Sequence, residues 1–155
     1  MRVILTFLLF NLVFSEPFDG LTLVTNKAYP PWSSLLIDND YNIINEWSHN
    51  CPPRSIAYLM PDSSLLVPCT GIVKRLDWEG NLLWEYYLNT DDYINHHDIE
   101  PLANGNILII CWESKTEAEA IAAGRQNVNS VMNTLAILEL TPIGANDAQI
   151  HWEWH

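Results

Sequence analysis

The stretch Arg75-Leu76-Asp77-Trp78-Glu79-Gly80-Asn81-Leu82-Leu83-Trp84-Glu85-Tyr86 decides the fold, because the chain carries the same pattern more than once. It occurs 39 positions earlier as Leu36-Ile37-Asp38-Asn39-Asp40-Tyr41-Asn42-Ile43-Ile44-Asn45-Glu46-Trp47. A third copy runs from Ile137-Leu138-Glu139-Leu140, through a turn with Gly144 and Asn146-Asp147, to Gln149-Ile150-His151-Trp152-Glu153-Trp154. Each copy reads as two short strands around a polar turn.

A second hairpin lies between the copies. The segment Ile56–Cys69 parallels Asp98–Cys111 at a spacing of 42 residues. Asn104-Gly105 between apolar runs is a strong hairpin signal, since both residues tolerate positive φ, and Asp62-Ser63 serves the first copy. Two hairpins in series give a four-stranded antiparallel unit of about 40 residues, the period of a β-propeller blade. The Trp-Glu-Trp and Trp-Glu-Tyr alternation sets two aromatics on one strand face, where they pack against a neighbouring blade.

The expected fold is therefore all-β: an incomplete β-propeller over residues 16–155. It comprises the outer hairpin of one blade (about 34–48), a full blade (55–88) and an expanded blade (96–154). Ser114-Lys115-Thr116-Glu117 fits a capping box and Gly124 a helix end, so a short helix is predicted over 115–123, followed by a polar loop to about Asn133. A closed propeller typically has 4–8 blades. About two and a half blades read as the N-terminal portion of a longer protein.

Composition narrows the function. Seven basic and 19 acidic residues give a formal charge of −12, which excludes a binder of nucleic acid or of anionic membrane. At 48% hydrophobic and with seven Trp, the chain is too apolar to be disordered. Met1-Arg2, the apolar run Val3–Phe14 and Ser15 form a signal-peptide pattern over 1–15, which predicts a secreted or periplasmic protein with no membrane span after cleavage. The run is short for a span, which needs about 20 residues. In an oxidising compartment Cys51 and Cys69 can pair and leave Cys111 over. Yet Cys69 and Cys111 end equivalent strands, and this favours reading both as buried small hydrophobes.

These motifs resemble the arylsulfate sulfotransferase family of exported β-propellers. The resemblance covers most of the mature chain. It rests on the Leu-Asp-Trp-Glu-Gly-Asn copies, on His96-His97-Asp98-Ile99-Glu100-Pro101-Leu102-Ala103-Asn104-Gly105-Asn106-Ile107-Leu108, on Glu119–Arg125, and on Ile150–His155. The His-His-Asp-Ile-Glu-Pro-Leu run is the most specific part. What the resemblance implies is transfer of a sulfuryl group from a phenolic sulfate ester to a phenol through a transient sulfo-histidine, with neighbouring His and Arg holding the sulfate oxygens and no cofactor. Family members are roughly six-bladed and much longer. The alternative is a non-catalytic propeller that binds a ligand or protein through its axial face.

His97 and His96 are the catalytic candidates, at the start of a blade's first strand, where propeller strands line the central channel. An imidazole with an ordinary pKa near 6.5 is a competent nucleophile at neutral pH. Strand alternation sends the two rings to opposite faces unless the loop twists, so only one of them faces the axis. Asp98 and Glu100 then share the face of His96, where Asp98 is placed to orient an imidazole. The competing role for such a His is to bind a neighbouring turn and hold the blade. Arg54 falls at the repeat position of His96 and is a candidate for the sulfate oxygens, with a solvated surface Arg as the alternative. Arg125, after the helix, and His155, at a strand end, are further substrate-binding candidates. His49 and His151 read as surface strand ends. No metal site is expected, because adjacent strand residues diverge. No P-loop, dinucleotide fingerprint or Gly-x-Ser-x-Gly elbow is found.

Overall fold

The computed structural model describes residues 18–88, 90, 92–128 and 130–155; the leader expected at 1–15 lies outside them. Among these residues eleven strands and one helix follow in order. Sheet 1 contains β1 (Thr22–Thr25), β2 (Ser33–Ile37) and β3 (Ile43–Ser48). Sheet 2 contains β4 (Tyr58–Leu59), β5 (Leu65–Cys69), β6 (Ile72–Leu76) and β7 (Leu82–Tyr87). Sheet 3 contains β8 (Tyr93–Pro101), β9 (Ile107–Lys115), β10 (Met132–Ile143) and β11 (Asp147–Trp154), with α1 (Glu117–Ala122) inserted after β9. Each sheet is an antiparallel meander in which sequence neighbours pair. The fold is mostly β.

The repeat is visible in the turns. Asp38 accepts the backbone N–H of Asn42 at 2.8 Å and its side-chain amide at 2.9 Å. Asp77 does the same for Asn81, at 2.7 and 2.9 Å. An Asp four residues before an Asn thus closes both turns through side-chain to backbone bonds, which leave the strands free to pair. Positive φ is required at equivalent places, +64° at Tyr41 and +85° at Gly80. Only Gly adopts it without steric cost. All three outer hairpins also share a register shift, between Leu36 and Ile37, Arg75 and Leu76, and Glu139 and Leu140.

Sheet 2 lies between the other two. Leu36 and Trp47 of sheet 1 pack with Leu65, Val67, Ile72 and Leu76 of sheet 2. Leu66, Val73 and Trp84, on the opposite face of sheet 2, pack with Ile99, Ile109, Leu138 and Leu140 of sheet 3. An indole clasps each junction. Trp47 Nε1 donates to the Asp77 carbonyl at 2.8 Å, and Trp84 Nε1 donates to the Asp147 carbonyl at 2.9 Å. A buried Trp needs such an acceptor, and the next sheet's turn supplies it.

Four local expectations are corrected. Strand β1 adds a third strand to the expected half blade, because Thr22–Thr25 pairs with Ser34–Ile37. The capping box is Thr116–Glu119, two residues later than read: Glu119 Oε2 accepts the Thr116 N–H at 2.8 Å, and Thr116 Oγ1 accepts the Glu119 N–H at 3.3 Å. The helix accordingly spans Glu117–Ala122, and β10 begins at Met132, inside the expected loop. Cys69 is joined to Cys51 in a disulfide with Cα atoms 5.8 Å apart, while Cys111 alone is the buried free thiol. Burial pushes that thiol up to about 12, so it stays protonated and inert. No helix among the described residues is long and apolar enough to cross a membrane.

Candidate functional site

The His-His-Asp run sits on an irregular part of β8. Asn95 pairs with Cys111 and Ile99 with Ile109, so three residues of β8 face the single Ile110 of β9. His97 takes up the excess at φ +59°. A bulge of this kind bends a strand and re-aims its side chains.

Both ends of the bulge are tied to sheet 2. Before it, the buried Asn95 side chain donates to the Cys69 carbonyl at 2.6 Å and accepts the Gly71 N–H at 2.8 Å. After it, Asp98 Oδ1 accepts from Ser55 Oγ at 2.8 Å, Tyr58 Oη at 3.3 Å and the Ile99 N–H at 3.0 Å. Burial and the Asp98 charge raise the Tyr58 phenol, which keeps it a donor. A non-Gly residue at positive φ survives where its surroundings over-determine it, and here they do.

The consequence for the rings corrects the alternation argument. His96 and His97 do not diverge; their centroids are 3.9 Å apart, edge to face. His96 also lies 4.1 Å from the Trp112 ring. Nor does Asp98 bond an imidazole among the described residues; its Oδ1 accepts from Ser55, Tyr58 and the Ile99 N–H. The extra residues in the strand reset the period on which both expectations relied.

Arg54 joins this group. Its backbone is fixed by an N–H bond to the Pro68 carbonyl at 2.8 Å and by the Pro53–Cys69 bridge. Burial holds His96 below the ordinary imidazole range, and the charges of His97 and Arg54 add to that. Two polar atoms in the group, Arg54 Nε and His96 Nδ1, are buried and lack a hydrogen-bond partner among the described residues. His97 is exposed beside them. Unsatisfied buried donors next to a positive charge suit a ligand that brings oxygen acceptors.

No protein-family model matches the chain, and no curated protein matches it.

The other two candidates meet elsewhere. Arg125 and His155 line a cleft of about 720 Å³ together with Glu113, Lys115, Ala120 and Met132, and neither His96, His97 nor Arg54 contributes to its lining. Glu113 is 7% exposed and fully engaged: Lys115 Nζ donates to Oε1 at 2.6 Å, and His155 Nδ1 lies 3.0 Å from Oε2. Burial by itself would raise this carboxyl, but the bonds from Lys115 and His155 carry it below the usual range. The bond to Glu113 in turn raises His155, against the opposing effect of burial.

His49 corrects another reading. It is 1% exposed, with Nε2 3.0 Å from Ser34 Oγ and Nδ1 without a partner among the described residues. Burial, with Lys74 in support, lowers it to about 4. His151 is exposed. Among the described residues no three His, Cys, Asp or Glu side chains group to hold a metal ion. Sequence reasoning missed Asn95, Ser55 and Tyr58, the residues that hold the bulge.

Proposed function

We propose that the three sheets are blades of a β-propeller and that the Arg54–His96–His97 group transfers a sulfuryl group between phenols. The observation that carries this reading is the pair of orphaned buried atoms, Arg54 Nε and His96 Nδ1, beside the exposed ring of His97. The resemblance of His96–Leu108 to the arylsulfate sulfotransferases supports it, and so does the meander order within each sheet. The Cys51–Cys69 bridge supports export to an oxidising compartment.

On this reading a phenolic sulfate ester enters with its sulfuryl oxygens toward Arg54 and His96. A ring nitrogen of His97 attacks sulfur, the bond between sulfur and the phenolic oxygen breaks, and the phenolate leaves and takes up a proton. A second phenol then attacks the sulfur of the sulfo-histidine as it loses its own proton. The nitrogen–sulfur bond breaks and His97 is restored. The depressed basicity of His96 keeps that ring neutral, free to donate one hydrogen bond without adding a charge beside His97. Arg54 supplies the fixed positive charge that the transferring group needs.

The test is turnover of 4-nitrophenyl sulfate with phenol, followed as nitrophenolate release. Activity is expected in the wild type, none in His97→Ala, and a mass increment of one sulfuryl group on the peptide holding His97 after quenching without acceptor. An active His97→Ala would remove the nucleophile. An Arg54→Lys variant keeps the charge but loses the planar fork, so it is expected to fall between wild type and Arg54→Ala.

A further inference from the structure

The two halves of the Arg54–His96–His97 group hang from one short stretch, Pro68–Gly71, where β5 turns into β6. Arg54 belongs to the segment between β3 and β4, which runs outside the sheets apart from one bridge. Arg54 N–H donates to the Pro68 carbonyl at 2.8 Å, and Thr70 N–H donates to the Pro52 carbonyl at 3.0 Å. Pro53 bridges Cys69, and a disulfide joins Cys51 to Cys69. The histidine half is tied to the same turn from β8. Asn95, immediately before His96, is 2% exposed and spans the turn, donating to the Cys69 carbonyl at 2.6 Å and accepting the Gly71 N–H at 2.8 Å. Its own N–H donates to the Leu88 carbonyl at 3.1 Å, and Leu88 N–H donates to the Gly71 carbonyl at 2.9 Å. Cys69 therefore carries the covalent tie of one half and the amide tie of the other.

These ties work against a cost. Arg54 Nε and His96 Nδ1 are buried without a partner among the described residues, so with no ligand bound each would gain by moving out to water. The backbone bonds that hold the Arg54 segment compete with water and contribute little net. A covalent bridge does not exchange with water, and it limits how far the segment can depart. An oxyanion that accepts from Arg54 and His96 removes the cost from the same arrangement. Two influences that favour one arrangement over its alternatives also favour each other.

We infer that the Pro68–Gly71 turn, with Asn95 and the Cys51–Cys69 bridge, is the positioning element of this group, and that a bound oxyanion and the closed bridge stabilise each other. Asn95 and the two cysteines act through Arg54 and His96 and not on the ligand. The inference rests on the reading of the group as an oxyanion site and not on sulfuryl transfer.

The experiment measures one coupling in two ways on the full chain, with inorganic sulfate as the probe. Sulfate affinity is read from the imidazole NMR resonances of His96 and His97 with the bridge closed. It is read again after dithiothreitol has reduced the bridge to two thiols, itself becoming a cyclic disulfide. The reduced chain is expected to bind at least about fivefold more weakly. Thiol alkylation and mass spectrometry give the ratio of reduced to oxidised dithiothreitol at which half the bridges are open. Saturating sulfate is expected to raise that ratio by the same factor. Arg54→Met is expected to show no such rise, which separates binding from the general effect of sulfate on stability. Asn95→Ala keeps the bridge but unties the histidine half, and is expected to weaken sulfate binding by a comparable factor. Should reduction unfold the chain, seen as loss of the Trp47 and Trp84 indole resonances, Asn95→Ala decides instead. Equal affinities with the bridge closed and open, a rise that persists in Arg54→Met, or undiminished binding by Asn95→Ala overturns the inference. No sulfate binding by the oxidised wild type overturns the oxyanion site itself, and the inference with it. The nitrophenyl sulfate assay reads the proposed chemistry separately, so the failures are distinguishable.

Discussion

Two histidine-bearing regions of this protein use the same residue types to opposite ends. In the Arg54–His96–His97 group two buried atoms, Arg54 Nε and His96 Nδ1, have no hydrogen-bond partner among the described residues. In the Glu113–His155–Arg125 cleft the buried carboxylate is satisfied by Lys115 and His155, with Thr134 Oγ1 at 3.4 Å. A satisfied group stabilises the fold and has little left to offer a ligand; an unsatisfied one destabilises the fold until a ligand arrives. Burial and charge are present in both. What separates them is whether the hydrogen bonds are already made.

The largest expected effect sets the two histidines against each other. On the proposed chemistry, His97→Ala lowers kcat by at least about 10³-fold, as loss of a nucleophile does, while His155→Ala stays within about threefold. Equal losses in the nitrophenolate assay would break the comparison.

His49 sharpens it, since an unpaired nitrogen is also present there but is wholly enclosed. Its value of about 4 lies below the 6.5 of an unfolded chain, so the unfolded state binds more protons between those limits. The stability it contributes is complete above about pH 6.5 and lost as pH falls through about 4, a change on the order of 3 kcal/mol. Urea titrations between pH 7 and 4 are expected to show this slope, reduced in His49→Gln. No change of slope would mean that the ring is not buried neutral.

Glu113→Gln probes the satisfied site. It strips the charge that Lys115 and His155 share, and because Lys115 is a third exposed the expected loss is only about 1–2 kcal/mol in urea unfolding. Arg54→Met, which removes an unsatisfied donor, is expected to be neutral or stabilising. The reverse order would refute the distinction.

The smallest effect is a pair of titrations. His155 is raised, so its contribution is present below about pH 6.5 and lost as pH rises through its folded value; His96 is lowered, and its contribution fades in the acid direction. Imidazole NMR resonances are expected to titrate on opposite sides of the ordinary value, and Glu113→Gln to return only His155 toward it.

Much of this fold was legible as pattern. The 39-residue recurrence of Asp, polar turn and Trp-Glu gave the outer hairpins, and Asn104-Gly105 gave the β8–β9 hairpin, because turn chemistry acts over four or five residues and is written locally. The site was legible as residue types at places in the repeat. His96, His97 and Arg54 were named from sequence, and the structure brings them together; Arg125 and His155 were named beside them and form a different cleft. Reading failed where alternation was assumed to hold, at the β8 bulge, and where burial had to be guessed, at His49.

The amino-acid sequence by itself determined the hairpins, their order within the second and third sheets and the unit that repeats, since these follow from periodicity and short turns; strand β1 it did not reveal. Tertiary structure alone decided that His96 and His97 share a side, that Asp98 serves Ser55 and Tyr58, that Cys51 meets Cys69, and that Glu113 is the partner of His155. Each of these depends on the bulge in β8 or on a contact made only in the folded chain, within a sheet or between sheets. Such contacts join residues far apart in the chain, and their strength comes from the loss of water between surfaces that no local pattern records.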